Sequence, residues 1–222
     1  MKKYIGIISV ILIVLIGSFF AGKLLTPNNK LKVYNPVDVN PVLVDDSLKK
    51  VYANHKVLDF ELFDQEGNRT SQKWTDNHVY IVDFFFTTCE TICPLMTSQM
   101  QRASEKLKDE KEVKFLSISV IPEQDSIPVL KAYAEQLDLD YNQWRMLTGD
   151  KNLIYSLARK SYFALKPAET GKGDGGVSDF IHTNNFVLVD KSKRIRGYYD
   201  GTSVADVDRL IEEVGILLNE QM

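Results

Sequence analysis

Residues 79–96 read VYIVDFFFTTCETICPLM, and this stretch holds both cysteines of the chain, Cys89 and Cys93. The apolar run Val79–Phe86 predicts a buried strand. Pro94 suits the first turn of a helix, where a missing N–H costs nothing. From Leu95 to Leu107 apolar residues recur at helical spacing and the run ends in charge. The fragment therefore predicts a strand, a short polar turn and a helix, with the two thiols at the handover.

The flanks extend this pattern. Upstream, LDFELFDQEGNRT alternates around a Glu66-Gly67-Asn68 turn and predicts a β-hairpin. Downstream, VKFLSISV (113–120) predicts a second buried strand, and Asp125-Ser126 caps a helix running to about Leu137. Trp144–Leu147 reads as a short extended piece, and Asp150 as the N-cap of a helix over Lys151–Ser161. A glycine-rich loop, GKGDGG, precedes IHTNNFVLVD, which turns through Lys191-Ser192-Lys193 into RIRGYYD. Val204–Leu218 closes the chain as an amphipathic helix. Strands alternating with helices predict an α/β layer fold with a partly parallel sheet. The terminal antiparallel hairpin and last helix make it thioredoxin-like. The cysteines then lie at the carboxyl end of a central strand, the usual edge for chemistry in open α/β sheets.

The amino terminus differs from the rest. Between Lys3 and Lys23 the segment Tyr4–Gly22 carries no charge. As a helix it spans roughly 28 Å, close to the ~30 Å hydrocarbon core of a bilayer. A cleavable signal has a shorter apolar region and small residues at its cleavage site; Phe19 and Phe20 spoil that pattern around Ala21. The expected organisation is a single transmembrane anchor over 1–22, a proline-containing tether or edge segment over 23–54, and a thioredoxin-like domain over 55–222. The expected location is the cytoplasmic membrane, single-pass, with the domain on the periplasmic or outer side. A net charge of −3 without a basic stripe argues against nucleic acid.

An oxidising exterior requires a reductant or a metal to keep two thiols reduced. Residues at i and i+4 share one helix face, with a Cα separation of about 6 Å that a disulfide can bridge and that lets both sulfurs face one ion. A helix N-terminus favours the thiolate, which is both nucleophile and ligand. Use of the pair as plain core residues sits poorly with the polar Thr87, Thr88, Glu90 and Thr91 around it. Thioredoxin-type enzymes place two residues between their cysteines; this loop has three, Glu90-Thr91-Ile92. A structural zinc site wants four ligands, whereas Cu(I) is soft and satisfied by two thiolates and one imidazole. Three histidines exist. His182 starts the strand after the glycine-rich loop, which a thioredoxin-like sheet returns near the first helix, so it is the candidate third ligand. His55 and His78 read as surface residues, and Met96 and Met100 as core rather than thioether ligands. A peroxiredoxin-like peroxidase lacks its proline-to-cysteine spacing and a clear arginine partner here.

Together DFFFTTCETICPLM, SISVIPEQDSIPVLKAYAEQL, WRMLTGD and IHTNNFVLVD resemble the SCO/SenC family, from about Val57 to the C-terminus. The resemblance implies a membrane-anchored copper protein of cytochrome c oxidase assembly with a thioredoxin-like fold. It implies copper ligands at Cys89, Cys93 and His182. It also implies copper, as Cu(I) or Cu(II), passed to the Cu(A)-bearing subunit of the oxidase or another copper-receiving protein. The alternative is a thiol–disulfide oxidoreductase that reduces the Cu(A) cysteines through the same pair, Cys89 and Cys93. Two departures remove acids: Ile121 stands where the family usually has Asp before Pro-Glu-x-Asp, and Ile181 where it often has an acid before the histidine. They bear on groups around the ligands and on the Cu(II) form, not on the three ligands.

Overall fold

The structure is a computed structural model and describes residues 30–164 and 183–220. The expected anchor, the GKGDGG loop, Ile181 and His182 lie outside the described residues. Backbone contacts divide the chain after Lys30, and the sheet with its helices belongs to the unit from Leu31 onward. No helix among the described residues is long and apolar enough to cross a membrane.

The described strands are β1 (Glu61–Asp64), β2 (Arg69–Ser71), β3 (Val79–Phe85), β4 (Val113–Ser119), β5 (Trp144–Thr148), β6 (Asn185–Val189) and β7 (Ile195–Asp200). They form one sheet in the order β2-β1-β5-β4-β3-β6-β7. The centre, β5-β4-β3, is parallel; β1, β6 and β7 pair antiparallel to their neighbours. Among the described residues four α-helices connect or cover it: α1 (Cys93–Lys106), α2 (Ile127–Gln136), α3 (Lys151–Ser156) and α4 (Val204–Asn219). The α/β, thioredoxin-like order expected from the sequence is the one observed.

Period-two alternation sorts β3 between two cores. Val79, Ile81 and Phe85 face the layer containing Met96, Met100, Leu130 and Leu210 from α1, α2 and α4. Tyr80, Val82 and Phe84 face the layer containing Ile154, Tyr162, Val57 and Val44. Every residue of β3 is buried, as befits a parallel strand covered on both faces. Met96 and Met100 are 1% and 0% exposed and fill the core, as expected.

Three local expectations change. The first helix begins at Cys93, two residues before Leu95, while Pro94 sits in its first turn as expected. Lys151–Ser161 is α-helical only to Ser156, then widens into a π-turn over Leu157–Ser161; its Asp150 cap is present, accepting from Leu153 N–H at 2.8 Å. His55 is not a surface residue: it is 7% exposed, its Nε2 is 2.9 Å from the carbonyl of Ser161, and its ring packs 4.8 Å from Phe163. That contact joins segments 106 residues apart, which local pattern cannot foresee. Burial pushes the His55 pKa down, against the bond to Ser161. His78 is half-exposed, with Nδ1 2.7 Å from the carbonyl of Asp76.

Candidate functional site

The two cysteines come together, but not on one helix face. Cys89 lies in the turn that leaves β3, its N–H bonded to Phe86 O at 3.3 Å, and Cys93 is the first residue of α1. Both are reduced and buried, at 8% and 1% exposure. The thiol and backbone N–H of Cys93 favour the ionised form of Cys89. The Thr91 hydroxyl adds a contact at 3.6 Å. Burial opposes ionisation of Cys89, yet these donors outweigh it and bring its pKa down to about 7. Cys93 moves the other way. Burial pushes it up, donation to Cys89 adds to that, and the charges of Cys89 and Asp83 add more. One thiol is thus poised to ionise near neutrality and the other holds its proton.

Asp83 is a buried carboxyl in the middle of β3, 2% exposed, on the face that carries α1. Ser117 Oγ on β4 donates to it at 2.6 Å, and Trp144 Nε1 on β5 donates to Ser117 Oγ at 3.0 Å. Burial raises its pKa to about 7, with the Ser117 bond pulling the other way. An acid in a run of apolar residues is the sequence signal that marks this group.

Burial of Asp83 makes stability depend on pH. The unfolded carboxyl titrates near ~3.9, so between there and about pH 7 the folded form holds the extra proton. Its stabilising share is complete below the unfolded value and is lost as pH rises through the folded one. Asp83 should therefore cost on the order of 2–3 kcal/mol between about pH 5 and about pH 8. Denaturant unfolding at both pH values checks this: Asp83→Asn should flatten the slope relative to the parent.

The sequence expects the pair Asp125-Ser126 to cap α2, and the structure gives the cap position to Ser126 while Asp125 is engaged elsewhere. Ser126 is the N-cap of α2, with no side-chain cap bond. Asp125, 0% exposed, accepts from Thr87 N–H at 3.2 and 3.3 Å, from Thr87 Oγ1 at 2.5 Å and from Ser119 Oγ at 2.5 Å. Beside it Ile121, the position expected to lack the family's acid, is 3% exposed and belongs to the apolar core. Tyr133 on α2 completes the wall, with its OH 3.2 Å from Thr97 Oγ1 and its ring stacked 6.0 Å from Phe85.

Among the described residues no cluster of three His, Cys, Asp or Glu is arranged to hold a metal. His182, the third expected ligand, lies outside them. Its neighbour Thr183 is described: Thr183 N–H and Oγ1 donate to Ala164 O at 3.1 and 2.9 Å. Because β6 runs antiparallel to β3, with Val82 opposite Val187, the chain enters β6 at the carboxyl end of β3. That is the edge from which the Cys89 turn departs.

A reduced pair at a strand's carboxyl end, with one thiol acidified, can attack a disulfide, close one of its own, or bind a soft cation. Known proteins are similar to this chain along most of its length. The sequence matches the SCO1/SenC family profile over residues 49–219. It is 35% identical over 163 residues to the SCO1 protein homolog of Bacillus subtilis, covering 72% of this chain and 82% of that protein. The structure of BsSco, a member of the Sco family of cytochrome c oxidase assembly proteins in which a disulfide switch was identified, superposes with a TM-score of 0.62 at 33% identity. It covers 78% of this chain and 98% of its own. Yeast Sco1 with copper bound shares the fold, with a TM-score of 0.56 at 24% identity, over 73% of this chain and 90% of its own. With the profile spanning well over half of its length, the chain belongs to the SCO1/SenC family.

Proposed function

We propose that the protein is a copper metallochaperone whose cargo is held by Cys89, Cys93 and His182 and passed to the Cu(A) subunit of cytochrome c oxidase or another copper-receiving protein. The observation that carries this is the paired, reduced, buried sulfurs at the carboxyl end of β3. Two thiolates are a soft donor set and suit Cu(I). Thr183, the residue that follows His182 in the sequence, is fixed to Ala164 at the same edge of the sheet. Family membership and the name of BsSco support the same process.

Thiol–disulfide exchange is the second use of the pair, favoured by the opposed thiol pKa values. In that step the Cys89 thiolate attacks a partner disulfide and expels one partner sulfur as thiolate. Cys93 then attacks Cys89 and gives up its proton, releasing the second partner sulfur. The partner gains two electrons and this chain is left with a disulfide. A dicysteine receiver must be reduced before it takes copper, so both steps serve one delivery.

Anaerobic Cu(I) titration of the full chain in detergent tests this. The reduced protein should take up one equivalent, and the fully oxidised protein should lose that site, because a disulfide sulfur is a poor ligand. Retention at unchanged affinity after verified oxidation refutes the shared site.

The proposed placement is a cytoplasmic-membrane anchor over 1–22, a tether or edge over 23–54, and the domain over 55–222 on the outer side. The intact mass of protein extracted from membranes should include the anchor. A mature chain beginning near Lys23 overturns it.

A further inference from the structure

Backbone pairing between β3 and β4 runs to Phe85 opposite Ser119, with Val120 N–H bonded to Phe85 O at 2.9 Å. Beyond that rung the chain turns away toward Cys89 and no described strand continues beside it. The Asp125 carboxylate takes over there. It accepts from both the N–H and the hydroxyl of Thr87, two residues past the last paired residue of β3, and from the hydroxyl of Ser119, the last residue of β4. Its own turn is closed by Asp125 N–H and Gln124 N–H on Ile121 O, at 2.9 and 3.0 Å. Ile121 N–H rests on Ser119 Oγ at 3.2 Å. Next along the loop, Thr88 Oγ1 donates to Gln124 Oε1 at 3.4 Å. Thr87 and Thr88 are thus held from the β4–α2 turn, and Cys89 is the next residue.

The opposite arm is fixed differently, since Cys93 is built into the first turn of α1. Only Glu90, Thr91 and Ile92 separate the two anchors, and Glu90 and Thr91 are exposed. A disulfide would itself hold the two arms together. In the reduced form that work falls to whatever restrains the Cys89 arm.

We propose that Asp125 is a positioning residue that latches the Cys89 arm and so sets the effective concentration of the two sulfurs toward each other; this rests on the redox-active pair described above. An unlatched arm samples more conformations when reduced, while the disulfide limits that sampling when oxidised. Loss of the latch therefore destabilises the disulfide relative to the dithiol and moves the couple to a more oxidising potential. Copper held by both sulfurs should weaken in parallel, for the same reason of preorganisation.

The test is the Cys89–Cys93 reduction potential of the full chain in detergent, equilibrated with a thiol buffer, for parent, Asp125→Ala, Asp125→Asn and Thr87→Val. Asp125→Ala should lower the effective concentration about tenfold, a rise of ~30 mV for a two-electron couple. Thr87→Val removes one hydroxyl from a half-buried position and should fold whatever happens at Asp125. It should shift the same way by about threefold, ~14 mV. Asp125→Asn keeps an acceptor for Thr87 N–H and a donor for Ser119, and should stay near the parent. Melting of the oxidised and reduced forms closes the cycle: the variants should lower Tm more in the oxidised than in the reduced form. Equal losses in both forms, with a Thr87→Val potential that is unmoved or more reducing, overturn the latch alone. A parent pair that does not oxidise at all overturns the redox use of the pair and this inference together.

Discussion

Cys89→Ser is expected to lose both chemistries of the protein at once, and Cys93→Ser to lose them in a different way. Cys89 is the sulfur with the lowered pKa, about 7, so it is the attacking thiolate near neutral pH. Its replacement should leave a protein whose remaining thiol, Cys93, is buried and keeps its proton. Such a variant should not form a mixed disulfide with a dithiol partner. In Cys93→Ser the attacking sulfur survives but the resolving one is gone, so a mixed disulfide at Cys89 should accumulate. Both variants should bind Cu(I) at least roughly a hundredfold more weakly, about 2.7 kcal/mol, since a serine oxygen is a hard donor in a soft site. Trapping with a model disulfide, followed by non-reducing mass measurement, separates the two. Equal trapping by both variants would show that attack is not confined to Cys89.

The handover of strand to helix at Cys89–Cys93 was legible because two local signals agree. Val79–Phe86 has no helical period, and Pro94 is tolerated where a helix begins. What was not legible depends on partners far away in sequence. The expectation of one shared helix face failed because Thr87 is tied to Asp125, 38 residues on, which keeps Cys89 in the turn while the helix starts at Cys93. The same long-range bond explains why Asp125 does not cap α2: its oxygens are taken by Thr87 and Ser119. His55 is a second case, since nothing in its neighbours announces the return of Ser161 and Phe163 onto it. Phe163 itself has φ +52, an uncommon conformation for a bulky residue, and is fully buried. Polar residues with short side chains or rings were thus misplaced where tertiary contacts override local preference, while the apolar periods of β3, β4 and α4 led directly to their observed elements.

His182→Ala should separate the two uses of the dithiol. Exchange requires a thiolate and a second sulfur close by, and its rate follows thiol pKa and access. Among the described residues, Cys93 and Thr91, both close to it in the chain, lower the pKa of Cys89. The variant's Cys89–Cys93 potential should stay within a few tens of millivolts of the parent, where ~30 mV is a tenfold change in the couple. Copper is different: removing one of three donors leaves an under-coordinated ion, and affinity should fall by roughly tenfold or more, at least about 1.4 kcal/mol. Competition with a chelator gives the affinity and equilibration with a thiol buffer gives the potential, on the same preparation. Loss of copper with an intact couple is the expected result. Parent-like copper binding would remove the histidine from the ligand set and leave the dithiol as a two-coordinate site. If that variant also fully supported oxidase maturation in cells, exchange rather than copper transfer would be the work the pair performs.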